Sequence, residues 1–431
     1  MTSRPFQKAY DCAIMGGGPA GSTVATLVAR SGAATLLVER DKMPRFHVGE
    51  SLMPETFWTL ERLGVLEQLR KSNLTRKVGV QFVAPSGRES QPFLFSEYDP
   101  RECAQTWHVE RGQFDMMLFD NAQAQGAECL DSTRVIDVDL KHALPHTIHL
   151  RLADGQQCNV TARVLVDATG QQAVLANRLG LKIDNPNLHK AAVWGYYCGA
   201  TRRGPHGPEL TTILHTEEKR NWFWYIPLAG DVVSVGLVGD SGDLLRRNQE
   251  LDAVFSEELT RCPGLQQRLV GADMIDGLHV AKEFSYSTRQ VAGDGWVLVG
   301  DACGFIDPIY STGVFLALKS GELAADAIVE SLRMGDISAA RLGQWAEKYE
   351  LGISLFRKLV DAFYTKEFSF AKFIQAHPEH QGNLTNLLIG RAFAPGADRL
   401  FRDLDPALQQ CRQHGEFGGR PPNEAPGKRP F

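Results

Sequence analysis

The chain has 431 residues, a length that favours two or three structural domains, and its 43% hydrophobic and 23% charged residues suit a globular protein with a sizeable core. A formal net charge of −5 excludes a global attraction to nucleic acid or to an anionic membrane, and no run approaches the roughly 20 apolar residues that span a bilayer. The eight scattered cysteines form no C-x-x-C pair, and the N-terminus lacks a signal-peptide apolar core, so neither a zinc site nor a disulfide scaffold is expected and a cytoplasmic setting is.

Cys12–Met15 is a short apolar run that reads as a buried parallel strand. Gly16-Gly17-Gly18-Pro19-Ala20-Gly21 follows and matches G-x-G-x-x-G. A small-residue helix is expected over Ala20–Arg30, and a second strand, Thr35–Val38, ends on Glu39. Each part has a mechanical task. Gly16 turns the chain off the strand, Gly18 lets backbone approach a pyrophosphate, and Gly21 lets the helix pack on the sheet. The helix N-terminus offers free N–H groups to phosphate, and Glu39 is placed for ribose hydroxyls. In this strand–turn–helix–strand–acid order the motif predicts dinucleotide binding.

Arg40 to Pro54 is punctuated by Pro44, Gly49 and Pro54 and reads as a loop long and basic enough to wrap a cofactor. Ser51 is a candidate cap for a helix over Thr56–Leu69. From Lys77 the pattern alternates, with Val78, Val80 and Phe82 on one strand face and a hairpin to Gln91–Phe95. On this pattern alone Lys77 is a solvent-facing lysine. A strand at Gln105–Val109 leads through Arg111 into a helix ending near Gln125, and strands follow near Glu128–Asp131, Thr147–Leu152 and Asn159–Val166. The last places Asp167 at a strand's carboxyl end, where ligands bind in open α/β sheets.

Between about Lys190 and Glu283 the texture becomes antiparallel, with strands at Ala191–Tyr197, Leu210–His215, Trp222–Pro227 and Val232–Val238, and a helix at Leu251–Thr260. This reads as a substrate-binding sheet inserted into the nucleotide-binding domain. Period-2 alternation puts Trp222 and Trp224 on one face, Phe223 and Tyr225 on the other. A strand then runs into Gly300-Asp301, a second acidic strand end. The helix over Gly313–Met334 presents the N–H groups of Thr312 and Gly313 as an anion site. Helices are expected at Ala339–Leu359, Lys366–Gln375 and Gly382–Phe393, and Glu416–Phe431 is expected to be disordered.

Three strand-end elements, Gly16–Gly21 with Glu39, Arg111 with Asp167, and Gly300-Asp301, together resemble the glutathione-reductase-type FAD fold of flavoprotein hydroxylases and their relatives, over about Asp11 to Met334. The implied fold is α/β. A Rossmann-like FAD-binding domain (1–74, 103–185, 286–335) carries an inserted, mostly antiparallel substrate sheet (75–102, 186–285), then a C-terminal helical region (336–415) and the tail. The cofactor set implied is Gly16, Gly18, Pro19, Ala20, Gly21, Glu39, Arg40, Glu50, Ser51, Arg111, Asp167, Gly300, Asp301 and Gly313. No second G-x-G-x-x-G serves a resident nicotinamide, and no metal is expected.

Trp222-Phe223-Trp224-Tyr225-Ile226-Pro227 matches W-x-W-x-I-P, the signature of flavin-dependent halogenases, and His47-Val48-Gly49-Glu50-Ser51-Leu52 with Pro54 also looks like theirs. In that light Lys77 aligns with their catalytic lysine, and the solvent-facing reading reverses. The resemblance implies FAD reduced by a separate NAD(P)H-dependent flavin reductase, and chloride or bromide bound at Thr312-Gly313. The halide is oxidised to hypohalous acid, which Lys77 delivers to a small aromatic substrate while Trp222 and Trp224 wall the flavin off. Tryptophan halogenases carry a glutamate where Tyr310 stands, so a phenolic or pyrrolic ring, free or on an acyl carrier protein, is expected rather than an indole. None of the 12 histidines is marked by its neighbours as a phenol-deprotonating base. The rivals are a flavin reductase of the geranylgeranyl-reductase type, which needs neither Lys77 nor halide, an aromatic hydroxylase, which lacks the paired tryptophans, and a non-catalytic flavin-binding or carrier-binding module.

Overall fold

The structure, a computed structural model, describes residues 8–140, 144–204, 206–217, 221–245, 249–282 and 285–414; the expected tail, Glu416–Phe431, lies outside them. The chain divides into two compact units, Met1–Glu347 and Lys348–Phe431. The first holds two eight-stranded sheets.

One sheet has a parallel centre. Ala9–Met15 lies between Thr35–Val38 and Gln157–Asp167, and Trp296–Leu298 extends it beyond the latter. Thr35–Val38 and the end of Ala9–Met15 are buried and largely apolar because both faces are covered there. Helix Pro19–Arg30 seals one face, with all of its residues up to Ala29 buried. Gly16 and Gly21 make that packing possible. Gly16 has φ +109°, and a Cβ there would sit 2.3 Å from the Ala168 carbonyl oxygen; a Cβ on Gly21 would sit 1.9 Å from the Gly16 oxygen. Strand Arg134–Asp139, which the sequence reading missed, pairs with His146–Arg151.

The second sheet is antiparallel except where Leu210–His215 runs parallel to Gly79–Val83. Its central strands are Lys190–Cys198, Val232–Asp240 and Trp222–Pro227. One face carries Phe223, Tyr225, Val233, Val235 and Leu237 into an apolar core closed by Phe255 and Leu265. Trp222 and Trp224 point the other way, as alternation requires. Trp194 and Trp224 both stand opposite Gly236. A Cβ on Gly236 would lie 2.1 Å from the Trp224 ring. The flat indole needs that bare backbone.

Several expected boundaries move. The helix expected over Thr56–Leu69 breaks at Gly64, whose φ of 82° ends Thr56–Leu63 before Leu66–Arg70 begins. Ser51 does not cap it; Glu55 is the N-cap residue, and the Ser51 hydroxyl bonds Thr211 instead. The strand expected from Lys77 splits into Arg76–Lys77 and Gly79–Val83, which join different sheets. Ala339–Leu359 is interrupted at Gly343, giving Ala339–Leu342 and Ala346–Tyr364. Helix Phe401–His414 falls within the C-terminal region expected to be helical (336–415), although no separate helix is expected at those residues.

Gly236→Val should force Trp224 out of its seat and destabilise the protein by about 1–3 kcal/mol, the usual cost of overpacking. Chemical denaturation against wild type checks this, and an unchanged midpoint would contradict the packing described.

Candidate functional site

The loops after the parallel strands and the tryptophan face of the second sheet enclose a cavity of ≈ 350 Å³. Its lining includes Gly16, Gly18, Pro19, Ala20, Glu39, Arg40, Glu50, Ser51, Arg111, Trp222, Trp224, Gly300, Asp301 and Gly313. The structure therefore gathers most of the residues singled out in the sequence, from seven separated segments. Gly21 lies outside the lining and acts through packing.

The dinucleotide end is built for anions. Glu39 accepts from the Gly17 N–H at 2.8 Å and the Asp41 N–H at 3.1 Å, which holds its carboxylate, almost fully buried, at the strand end. Arg45 lies 3.4 Å from Glu39 and 2.9 Å from Asp115. Arg111 donates to both Asp115 oxygens and to the Val48 carbonyl, so one guanidinium pins the loop to the helix. A Cβ on Gly18 would stand between lining residues, 3.3 Å from Arg45 Nη2. Glycine keeps that space open beside a cation and a helix N-terminus. These donors fit the diphosphate of FAD.

At the far end, burial pushes the Asp301 carboxyl up to about 7 against the pull of Arg111. Burial also raises Glu50, which accepts from the Tyr196 hydroxyl at 2.7 Å. His47 is driven down to about 4 by Arg111, with burial second. Helix Thr312–Met334 begins after Ser311, a non-glycine residue at φ 59°, ψ 29°. That is a strained left-handed conformation held at the cavity wall. Trp224 donates to Ser234 Oγ at 3.1 Å and its ring is 6.4 Å from that of Trp222.

Besides Gly21, three singled-out residues do not line this cavity. Asp167 is fully buried and accepts from the Thr169 N–H and hydroxyl and from the Leu175 N–H; its carboxylate ties the following turn together rather than facing a ligand. Thr312 is buried in the first turn of its helix. Lys77 stands behind the wall. It is 2% exposed, and its Nζ donates at 2.8 Å to the carbonyl of Leu52, the residue after cavity-lining Ser51. Among the described residues it has no ion-pair partner, and burial lowers its pKa to about 7. The solvent-facing reading of Lys77 fails because the face of the Arg76–Lys77 strand that carries it is buried, with the Leu52 carbonyl and the Phe95 ring around its amine.

Trp194, Thr211 and His108 were missed. Trp194 lines the cavity with its Nε1 buried and unpartnered. Its clue was period-2 spacing within an expected strand. Thr211 and His108 carry no motif at all.

Comparison with known proteins agrees with this geometry. A family model described as tryptophan halogenase matches residues 11–101 and 98–373. The chain belongs to the flavin-dependent halogenase family. It is 29% identical over 405 residues, covering 89% of this chain and 90% of the relative, to a 1H-pyrrole-2-carbonyl-peptidyl-carrier-protein chlorinase of Pseudomonas fluorescens. It is 32% identical to a tryptophan 2-halogenase of Chondromyces crocatus, covering 81% of this chain and 67% of the relative. The solved structure of the flavin-dependent brominase Bmp2 superposes with a TM-score of 0.83 at 26% identity, covering 94% of this chain and 99% of that one. The protein is thus an enzyme, an oxidoreductase that uses FAD and a halide. Among the described residues, no helix of the halogenase is long and apolar enough to cross a membrane.

The buried lysine has a thermodynamic signature. Unfolded, Lys77 keeps its proton up to about pH 10.5; folded, only to about 7. Between these values the unfolded chain binds the extra proton, so stability rises with pH. Lys77→Met should abolish that rise, an effect on the order of 4–5 kcal/mol at most, and should stabilise the fold most below about pH 7. Urea unfolding at a series of pH values reads this directly. A parallel pH dependence in the variant would mean the ammonium is not buried as described.

Proposed function

We propose that the halogenase oxidises chloride or bromide in the cavity and delivers hypohalous acid past Trp222 and Trp224 to Lys77, which transfers the halogen to a phenolic or pyrrolic ring. The observation that carries this reading is the position of Lys77: a buried amine with one backbone acceptor, one residue behind the cavity wall. Near neutral pH such a group exists in both protonation states. As ammonium it hydrogen-bonds and polarises the oxygen of hypohalous acid; as free amine it takes up the halogen itself.

Reduced FAD, when bound, supplies the electrons that activate oxygen and thereby the oxidising equivalent for the halide. The chain's own residues do the rest. Gly16–Gly21, Arg45 and Arg111 hold the diphosphate, Glu39 the ribose, and Gly300-Asp301 the ribityl region. Glu50, Ser51 and Arg40 belong to the loop that closes over the cofactor. The N–H groups of Thr312 and Gly313 hold the halide, a small anion that main-chain donors suit. Trp222 and Trp224 keep the substrate ring from the flavin, so that only a species as small as hypohalous acid passes between.

The absence of a second G-x-G-x-x-G favours a separate NAD(P)H-dependent flavin reductase as electron source. The printed activity of the Pseudomonas relative, on a pyrrole carried by a peptidyl carrier protein, supports a carrier-tethered substrate, and Tyr310 in place of an acid supports a ring other than indole. The tryptophan 2-halogenase relative makes tryptophan the comparison substrate in any test.

Incubation with FAD, a flavin reductase, NADH and bromide or chloride should yield halogenated products from a panel of phenols and pyrroles, free and carrier-loaded, and none from tryptophan, by mass spectrometry. Hydroxylated or reduced products without halogen would sink this reading. Lys77→Ala should lower halogenation at least about 100-fold, the scale typical of losing a catalytic acid or base, with FAD content unchanged.

A further inference from the structure

Behind the cavity wall, one face of a short antiparallel ribbon collects polar groups with hydrogen-bonding capacity left over. Lys77 stands directly opposite Thr106, and the His108 N–H bonds the Thr75 carbonyl at 2.8 Å, continuing the pairing. Alternation therefore puts Lys77, Thr106 and His108 on one face and Arg76 with Trp107 on the other. The second pair is seen stacked there, with the Arg76 guanidinium 4.5 Å from the Trp107 ring centre. On the first face, Thr106 Oγ1 and His108 Nδ1 are buried without a hydrogen-bond partner, and Lys77 Nζ makes a single bond. Orphaned buried polar atoms are costly and rare, so three polar groups on one face with unfilled capacity mark a binding surface.

The same imidazole is fixed in place from behind. His108 Nε2 lies 2.9 Å from Thr211 Oγ1, Thr211 Oγ1 lies 2.8 Å from Ser51 Oγ, and Ser311 Oγ donates to Ser51 Oγ at 3.1 Å. Ser51, Thr211 and Ser311 all line the cofactor cavity. Burial first, then the positive charge of Lys77 and more weakly of Arg202, holds the ring well below its ordinary pKa, with the Pro227 carbonyl opposing. The imidazole is neutral at physiological pH. In the tautomer that carries its proton on Nε2, that N–H donates to Thr211 Oγ1 and Nδ1 presents a lone pair.

We propose that His108 Nδ1 accepts the hydrogen bond of the O–H or N–H borne by the ring to be halogenated, and that His108 thereby selects the halogen acceptor presented to Lys77. The proposal rests on the reading of Lys77 given above. Thr106 Oγ1, directly opposite Lys77, is the second polar contact on the same face. Phe95 lays an aromatic ring over this face, 5.9 Å from Lys77 Nζ, so the surroundings of the amine already suit an aromatic group. Drawing the proton of a phenol or pyrrole toward a neutral nitrogen raises electron density on the ring carbons, which is what attack on an electrophilic halogen requires. A ring whose heteroatom is methylated leaves Nδ1 unpaired in a dry site and is rejected.

The test uses full-length, FAD-loaded enzyme and two probe pairs, phenol with anisole and pyrrole with N-methylpyrrole. Binding is read by saturation-transfer NMR, which does not depend on turnover. Wild type should favour the O–H or N–H member of each pair by about tenfold, the equivalent of one buried hydrogen bond. His108→Phe should abolish that preference, and His108→Gln, which keeps an acceptor, should restore part of it. FAD content and thermal midpoint report whether each variant is folded. Equal binding of both members by wild type, or an intact preference in His108→Phe, overturns the proposal, and the wild-type comparison decides even if a variant fails to fold. A preserved preference in an enzyme that halogenates no ring would remove the role of Lys77 and leave the selectivity of His108 standing.

Discussion

A backbone seam ties the cofactor cavity to the lysine behind it. The Leu52 N–H donates to the Trp107 carbonyl at 3.2 Å, and the Val109 N–H donates to Glu50 at 2.7 Å. Ser51 and His108 meet between them as an isolated antiparallel bridge. Lys77 completes the seam by donating to Leu52. Main-chain bonds of this kind have little rotational freedom, so the wall residue Ser51 and the ribbon residue His108 cannot drift apart without breaking several at once. The distance between the cofactor cavity and Lys77 is therefore set by peptide geometry rather than by flexible side chains.

Burial then gives each group its chemical character. One cluster of charge is compensated: Arg45 and Arg111 both pair with Asp115 beside the cavity. Behind the wall, Lys77 and His108 have no countercharge among the described residues. Lys77 and His108 lose their protons more easily for the same reason, the cost of holding a cation in a dry site. On the function proposed above, that dryness keeps water from competing for the halogen.

The sequence made the strand-end machinery legible because its rules are local. Gly16, Gly21 and Glu39 occupy one turn and its flanking strands, and the steric demands on each follow from neighbours a few residues away. Trp222 and Trp224 were legible in direction, since strand alternation alone separates them from Phe223 and Tyr225. Asp167 misled because a strand-end acid can either face a ligand or bind the backbone of its own turn, and only the path of Thr169–Leu175 decides between them. Thr56–Leu69 and Ala339–Leu359 misled for a similar reason: a glycine inside a helical pattern can be tolerated or can end the helix, and the flanking packing chooses.

What the sequence determined by itself was therefore the fold class, the dinucleotide loop and the family, all carried by short-range patterns. What tertiary structure alone decided was the environment of Lys77 and the identity of its neighbours. Thr106, His108, Thr211 and Ser51 come from strands and loops as much as 160 residues apart. Their unpaired atoms exist only once those segments are packed. Periodicity reports which way a side chain points, but not what it meets. An amine becomes reactive when water is removed from around it, and that removal is a property of the assembled fold.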